Sequence, residues 1–166
     1  MISLNQLATP LFGASCMIML VAALHDLAVR TVPNVLSLGV AILGLVRGLT
    51  EGIIIESVVV ASGIFVVAAL CWRFGWLGGG DAKLIAAASL GVPAASVPSF
   101  IAAVAFSGGA LALVYLTART LMPRRKLRRP SGILARIGRT ERWRLSRGGP
   151  LPYACAIAAG FLSAAQ

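Results

Sequence analysis

The chain has 166 residues, of which 58% are hydrophobic and 12% are charged. Soluble domains contain about 45–50% apolar and about 25% charged residues, so this composition excludes an ordinary soluble domain and indicates an integral membrane protein. The net charge of +10 is also unevenly placed, because 11 of the 15 Lys and Arg residues lie between Arg119 and Arg147. Such a basic block is typical of a cytoplasmic loop of a membrane protein, and we prefer this interpretation to a nucleic-acid-binding one.

Six apolar segments of helical length follow one another along the chain. They cover residues 8–24, 33–49, 53–72, 82–92, 98–118 and 151–165. The fold class is therefore all-α, with about six transmembrane helices in one membrane domain that covers residues 1–166. The N-terminus lacks the basic region of a secretory signal, so we expect the first segment to be retained as a helix.

Two of the six segments are short for a full span. Residues 82–92 rise only about 16 Å as a helix, against about 30 Å of hydrocarbon. We expect this segment either to continue through Pro93 with a kink or to cross only part of the membrane. The last segment is also short, so five spans plus a re-entrant segment is an open alternative.

The positive charge sets an expected topology. If the basic loop at 119–147 is cytoplasmic, six spans place the loops at 25–32 and 73–81 on the same side. Fourteen positive residues then lie inside and only Arg47 outside. The basic loop itself is expected either to lie on anionic lipid as an amphipathic helix or to be a solvated loop.

Five acidic residues are present, and two of them stand apart. Asp26 and Asp81 each lie where an apolar segment meets an inner loop, whereas Glu51 and Glu56 are expected in solvated or capping roles and Glu141 in an ordinary ion pair. Two neighbouring carboxyl groups can share a proton, so that one acts as acid and the other as base on a water molecule. The alternative is two separate interfacial aspartates, one of which caps the fourth helix.

Glycines precede the second aspartate in the run Gly78-Gly79-Gly80-Asp81. Glycine tolerates positive φ and lets another backbone approach closely, and Asp81 would open the fourth helix, where the helix dipole favours a carboxylate. The run lacks the spacing of a phosphate-binding loop, and an acidic residue does not suit an anion site.

Metal and disulfide chemistry find little support in the sequence. Cys16, Cys71 and Cys155 lie far apart in apolar stretches and form no CxxC pair. We therefore expect them to be small buried hydrophobic residues. His25 stands alone beside Asp26, and adjacent helical residues point about 100° apart, so we expect it to be a bystander. No metal site and no cofactor are predicted.

Three motifs together resemble those of type IV prepilin peptidases. Gly78-Gly79-Gly80-Asp81 is similar to the GxGD motif of that family. The segment 26–34, with Asp26 followed by Arg30 and Pro33-Asn34, resembles the first aspartate motif, and the tail from Pro152-Tyr153 to Gly160 resembles a late Pro-Tyr-Gly-x-Ala-Ile-Ala segment. Ala154-Cys155 departs from the usual Gly-Val of that tail. The likeness is closest to the short branch that serves Tad or Flp pili.

The resemblance implies an intramembrane aspartic endopeptidase of the bacterial inner membrane with its active site facing the cytoplasm. Asp26 and Asp81 would be catalytic, and prepilins with an apolar helix would be the substrates. Supporting or substrate-binding roles are expected for a further set of residues. These are Gly78, Gly80, Lys83, Arg30, Pro33, Asn34, Pro152 and Tyr153. The cysteine-rich methylating region of larger relatives is missing, so peptidase activity without N-methylation is expected.

Two other functions are compatible with part of the sequence. A presenilin-like protease shares the GxGD motif, but the Pro33-Asn34 pair favours the prepilin branch. A small transporter or scaffold could use Asp26 and Asp81 as a proton or cation path, and an inverted repeat between the halves would favour it. We find no convincing repeat.

Overall fold

The computed structural model describes residues 5–121 and 151–164, and this part of the chain is helical. Its helices are α1 (Asn5–Val29), α2 (Asn34–Glu51), α3 (Ile54–Arg73), α4 (Gly79–Leu90), α5 (Val97–Leu121) and α6 (Tyr153–Ser163). A short 3-10 turn, Ala94–Ser96, precedes α5. The predicted all-α class and the order of the six apolar segments are confirmed. The basic loop with Glu141 lies outside the described residues.

Four of these helices are long and apolar enough to cross a membrane. They are Thr9–Val29, Asn34–Glu51, Ile54–Arg73 and Ala94–Ala118. In contrast, α4 has 12 residues and α6 has 11, which correspond to rises of about 18 and 17 Å. The alternative of a kinked helix through Pro93 is wrong, because α4 stops at Leu90 and Pro93 precedes the 3-10 turn. A count of six full spans remains a prediction.

The two short helices form the centre of the bundle. Helix α4 packs between α2 and α3, α6 packs between α1 and α5, and α4 and α6 also touch each other. Their shared core is made of small and aromatic side chains, including Ala88, Ile157 and Phe161, which are fully buried. Because small residues let backbones approach closely, α4 and α6 can be enclosed by longer helices on several sides.

Glycines permit the closest of these approaches. A Cβ atom built on Gly44 of α2 would lie 2.7 Å from Leu90 Cβ and 2.8 Å from the backbone nitrogen of Gly91. A Cβ on Gly160 of α6 would collide with Val104 of α5. The backbones of these helices are therefore in direct contact at both points.

The end of the bundle opposite Asp26 and Asp81 is fixed by Arg47. Its guanidinium pairs with Glu51 at 2.8 Å, donates to the carbonyl oxygen of Gly91 and lies 5.8 Å from the ring centre of Phe12. Glu51, for which the sequence suggested a solvated or capping role, therefore forms an ion pair. Arg47, the one positive residue predicted outside, ties α1 and α2 to the end of α4.

Candidate active site

Asp26 lies near the C-terminal end of α1 and is 6% exposed. Its Oδ2 accepts a hydrogen bond of 3.3 Å from the backbone N–H of Ala154. Ala154 is the second residue of α6, so the carboxyl group of Asp26 faces the N-terminus of another helix. The free amides and the dipole there favour a negative charge and offset part of the cost of burying it.

Asp81 is the third residue of α4 and lies outside the four helices that are long enough to span a membrane. Burial, and to a smaller extent the neighbouring charge of Asp26, together raise the pKa of Asp81 from 3.8 to about 6. Two carboxyl groups from distant parts of the chain therefore lie near enough to interact. This interaction favours a pair over two separate interfacial aspartates, and the catalytic role of the pair stays a prediction.

The surroundings of the two aspartates favour different protonation states. Asp26 accepts a hydrogen bond at the start of α6, which stabilises its charged form, whereas burial beside Asp26 favours the neutral form of Asp81. A charged carboxylate beside a protonated one can take a proton from water and give a proton to a carbonyl oxygen. The arrangement therefore suits general acid–base hydrolysis.

The glycines before Asp81 have a steric role. Gly78, the N-cap of α4, has φ −71° and ψ 143°, so the positive φ that its sequence allowed is not used here. A Cβ on Gly78 would lie 2.6 Å from Asp81 Oδ2, and a Cβ on Gly80 would lie 3.1 Å from Val32 Cβ. The first glycine leaves room for the Asp81 carboxyl group, and the third lets the 30–33 loop approach α4.

Residues 13–113 match the model of the type IV leader peptidase family. The matched range is more than half of the chain and contains both aspartates and all three glycines. The chain belongs to the type IV leader peptidase family. No curated protein and no solved structure matches it at a significant level.

The loop after α1 orients the first half of this peptidase's site. Arg30 adopts a left-handed conformation, φ 62°, which is uncommon for a residue with a side chain and ends α1 sharply. Its guanidinium donates to the Tyr115 hydroxyl at 3.0 Å and lies 5.6 Å from that ring's centre. His25 closes the same turn, because its Nδ1 lies 2.7 Å from the carbonyl oxygen of Thr31.

Pro33 and Asn34 join α2 to α4 at the aspartate end of the bundle. Pro33 is the N-cap of α2, at φ −60° and ψ 135°, so it lies directly before the first turn of that helix. The Nζ of Lys83 donates to Oδ1 of Asn34 at 3.2 Å. Lys83 follows Asp81 by two residues, so this hydrogen bond holds the start of α4 against the start of α2.

The tail motif supplies the remaining wall of the site. Pro152 is fully buried and is the N-cap of α6, which places the Ala154 amide beside Asp26. The ring of Tyr153 lies against α5, where a Cβ on Gly108 would be 3.2 Å from it. Pro152 thus lies beside Asp26, whereas Arg30 and Tyr153 anchor the surrounding helices to α5.

Sequence reasoning missed two contributors to the site. They are the Ala154 amide and the Tyr115 hydroxyl. Only the tail resemblance hinted at the first of them. Among the described residues, no group of three or more His, Cys, Asp or Glu side chains could hold a metal ion.

Proposed function

We propose that this leader peptidase is an aspartic endopeptidase that cleaves the leader from prepilin precursors of the Flp type. The observation that carries the proposal is the nearness of Asp26 to Asp81 at one end of the bundle, where the charge of Asp26 contributes to the raised pKa of Asp81. Membership of the type IV leader peptidase family supports the reaction class. The three sequence motifs support the pilin substrate.

The reaction proceeds in two steps. In the first, the Asp26 carboxylate takes a proton from water, the water oxygen attacks the scissile carbonyl carbon, and Asp81 donates its proton to the carbonyl oxygen. In the second, Asp26 returns its proton to the leaving nitrogen, Asp81 regains a proton from one hydroxyl of the diol, and the C–N bond breaks. Both carboxyl groups end in their starting states, and water is the nucleophile.

The peptidase acts at the cytoplasmic face of the bacterial inner membrane in this proposal. Support comes from the segments 25–32 and 73–81, each of which contains one of the two aspartates and one arginine, Arg30 or Arg73. The proposal also includes cleavage without N-methylation. The three cysteines lie singly on α1, α3 and α6, and none belongs to a CxxC pair.

Co-expression with a Flp-type prepilin tests the proposal. Wild type should shorten the precursor, and Asp26→Asn and Asp81→Asn should each lower the rate by at least about 1000-fold, because proton transfer is lost in both steps. Glu56→Gln is the matched control, since Glu56 is an exposed carboxylate at the far end of α3.

The products distinguish the parts of the proposal. Full processing by either asparagine variant would remove that aspartate from the mechanism. Mass spectrometry of the mature pilin should show a free, unmethylated N-terminus, and a mass increase of one methyl group would contradict the second part.

A further inference from the structure

Helix α3 carries an open groove on its surface, with a volume of about 640 Å³. All of its lining residues belong to the second half of α3, and they fall on one face of the helix at 100° per residue. They are Phe65, Val66, Ala69, Leu70, Trp72 and Arg73. The groove is therefore apolar over most of its length and ends at an indole and a guanidinium group.

Three large aromatic side chains are exposed where α3 ends. Trp72, Phe74 and Trp76 are each more than half exposed, and Trp76 reaches 79%. Gly75, at φ 75°, closes the helix with two hydrogen bonds of 2.9 Å, from its own N–H to Trp72 and from the N–H of Trp76 to Cys71. An apolar residue after such a glycine often packs back on the last turn of its own helix. Trp76 instead meets Phe74, with 5.6 Å between the ring centres, and stays exposed.

Arg73 differs from the other basic side chains that the structure describes. Arg30, Arg47 and Lys83 each donate a hydrogen bond to another side chain. Arg73 is exposed and has no hydrogen-bond or ion-pair partner among the described residues. A cation without an internal partner at the end of an apolar span is suited to an anion outside the chain.

We infer that an anionic phospholipid binds this surface, in the leaflet at the aspartate end of the bundle. Its phosphate meets the guanidinium of Arg73, and one acyl chain lies in the groove against Phe65 and Leu70. Trp72 and Trp76 lie between the two, at the depth where aromatic side chains are enriched in membrane proteins. Lipid binding here does not require the peptidase reaction, so the inference goes beyond the proposed function.

The order of side chains along α3 favours a lipid over a protein segment as the occupant. From Phe65 to Arg73 the helix rises about 12 Å, and over this length apolar side chains give way to an indole and then to a cation. A phospholipid has the same order, from acyl chain through the interface to phosphate. A protein partner would have to bring an acidic side chain to the membrane surface at this depth, whereas every anionic lipid already carries its phosphate there.

The bound lipid fixes the depth at which α4 begins. Residues 74–78 connect Arg73 to Gly79, the first residue of α4, and Asp81 follows two positions later. A Cβ atom on Gly79 would lie 3.1 Å from Nε1 of Trp72, so the aromatic end of α3 also touches the first turn of α4. Asp81 is thereby held close to the level of the lipid phosphates.

Quenching of tryptophan fluorescence by brominated lipids tests the binding. The chain has three tryptophans, and Trp143→Phe leaves Trp72 and Trp76 as the reporters. This protein is reconstituted in phosphatidylcholine vesicles that contain increasing amounts of brominated phosphatidylglycerol or brominated phosphatidylcholine. We expect phosphatidylglycerol to associate about fivefold more tightly than phosphatidylcholine, which is the effect of one basic side chain at an anionic surface. No preference, as expected if a protein segment covers the groove, would overturn the inference.

Arg73→Gln and Arg73→Lys in the same background separate the guanidinium from the rest of the surface. The glutamine variant should lose the fivefold preference, whereas the lysine variant keeps the positive charge and should retain it. Equal quenching by brominated phosphatidylcholine in all three proteins reports that they are folded and inserted. An undiminished preference in Arg73→Gln would overturn the assignment of the phosphate to this residue.

A depth measurement tests the consequence for α4. A nitroxide is attached at Leu77→Cys in a chain whose native cysteines are replaced by alanine, and its access to a water-soluble nickel chelate is compared with its access to oxygen. Trp76→Ala should raise access to the nickel chelate, whereas Phe106→Ala, which removes a ring that is 80% exposed on α5, should not. Equal access in both variants would overturn the fixed depth. Neither measurement uses a prepilin, so failure of the proposed function would leave both results unchanged.

Discussion

The substitution Gly78→Ala is expected to displace the Asp81 carboxyl group without disturbing the fold of the peptidase. Gly78 has φ −71° and ψ 143°, a conformation that alanine adopts without strain. The added methyl group would nevertheless lie 2.6 Å from Asp81 Oδ2, which is far shorter than an ordinary contact. The carboxyl group is the end of a side chain and can rotate away, so the collision is relieved at the active site and not in the backbone.

The expected magnitude follows from that displacement. Restoring normal van der Waals contact moves the carboxyl oxygen by about 1 Å, and a misplacement of this size can cost about 100-fold in rate. We therefore expect kcat/KM for the prepilin to fall by about 100-fold, with the melting temperature in detergent unchanged or slightly higher. Replacing glycine by alanine at a compatible conformation stabilises a protein by about 0.4–1 kcal/mol.

Gly79→Ala is the matched control in the same motif. Its methyl group would meet the Trp72 indole at 3.1 Å, and Trp72 is an exposed side chain that can shift. This variant should keep its rate within about threefold of wild type, because Asp81 is not touched. Equal rates for wild type and Gly78→Ala would refute the reasoning, as would equal losses in both alanine variants.

Three further predictions concern charge, packing and anchoring. The rate should fall about tenfold per pH unit as the pH rises above about 6, because Asp81, with its pKa raised to about 6, then loses the proton it must donate; a flat profile from pH 6 to 8 would contradict this. Gly44→Ala should destabilise the protein by about 1–3 kcal/mol, since its methyl group meets the α4 backbone, whereas Gly63→Ala meets nothing within 4 Å and should not lower the melting temperature. Tyr115→Phe should lower the stability of the protein by about 1 kcal/mol, because the hydrogen bond from Arg30 is lost. Thermal unfolding measures this change, and an unchanged midpoint would show that the hydrogen bond does not stabilise the fold.

Much of the fold was accessible from the sequence because the bilayer restricts the choices. Backbone groups in lipid must be hydrogen-bonded within their own segment, so an apolar run such as 53–72 predicts a helix almost directly, and α3 was found at Ile54–Arg73. Positive charge predicted that Asp26 and Asp81 lie at the same end. The ends of α1 were less predictable, since polar residues such as His25 and Asp26 continue the helix to Val29.

The sequence by itself determined the helical class and the order of the apolar helices among the described residues, since hydropathy and charge are local properties that a bilayer acts on directly. Only the tertiary structure decided that Asp26 lies near enough to Asp81 to raise its pKa and that the backbone N–H of Ala154, at the start of α6, donates a hydrogen bond to Asp26. It also decided that Gly78 is needed for space and not for an unusual φ. Such contacts depend on how helices that are distant in sequence pack together. A local sequence pattern does not predict the distance between side chains that are 50 to 130 positions apart along the chain.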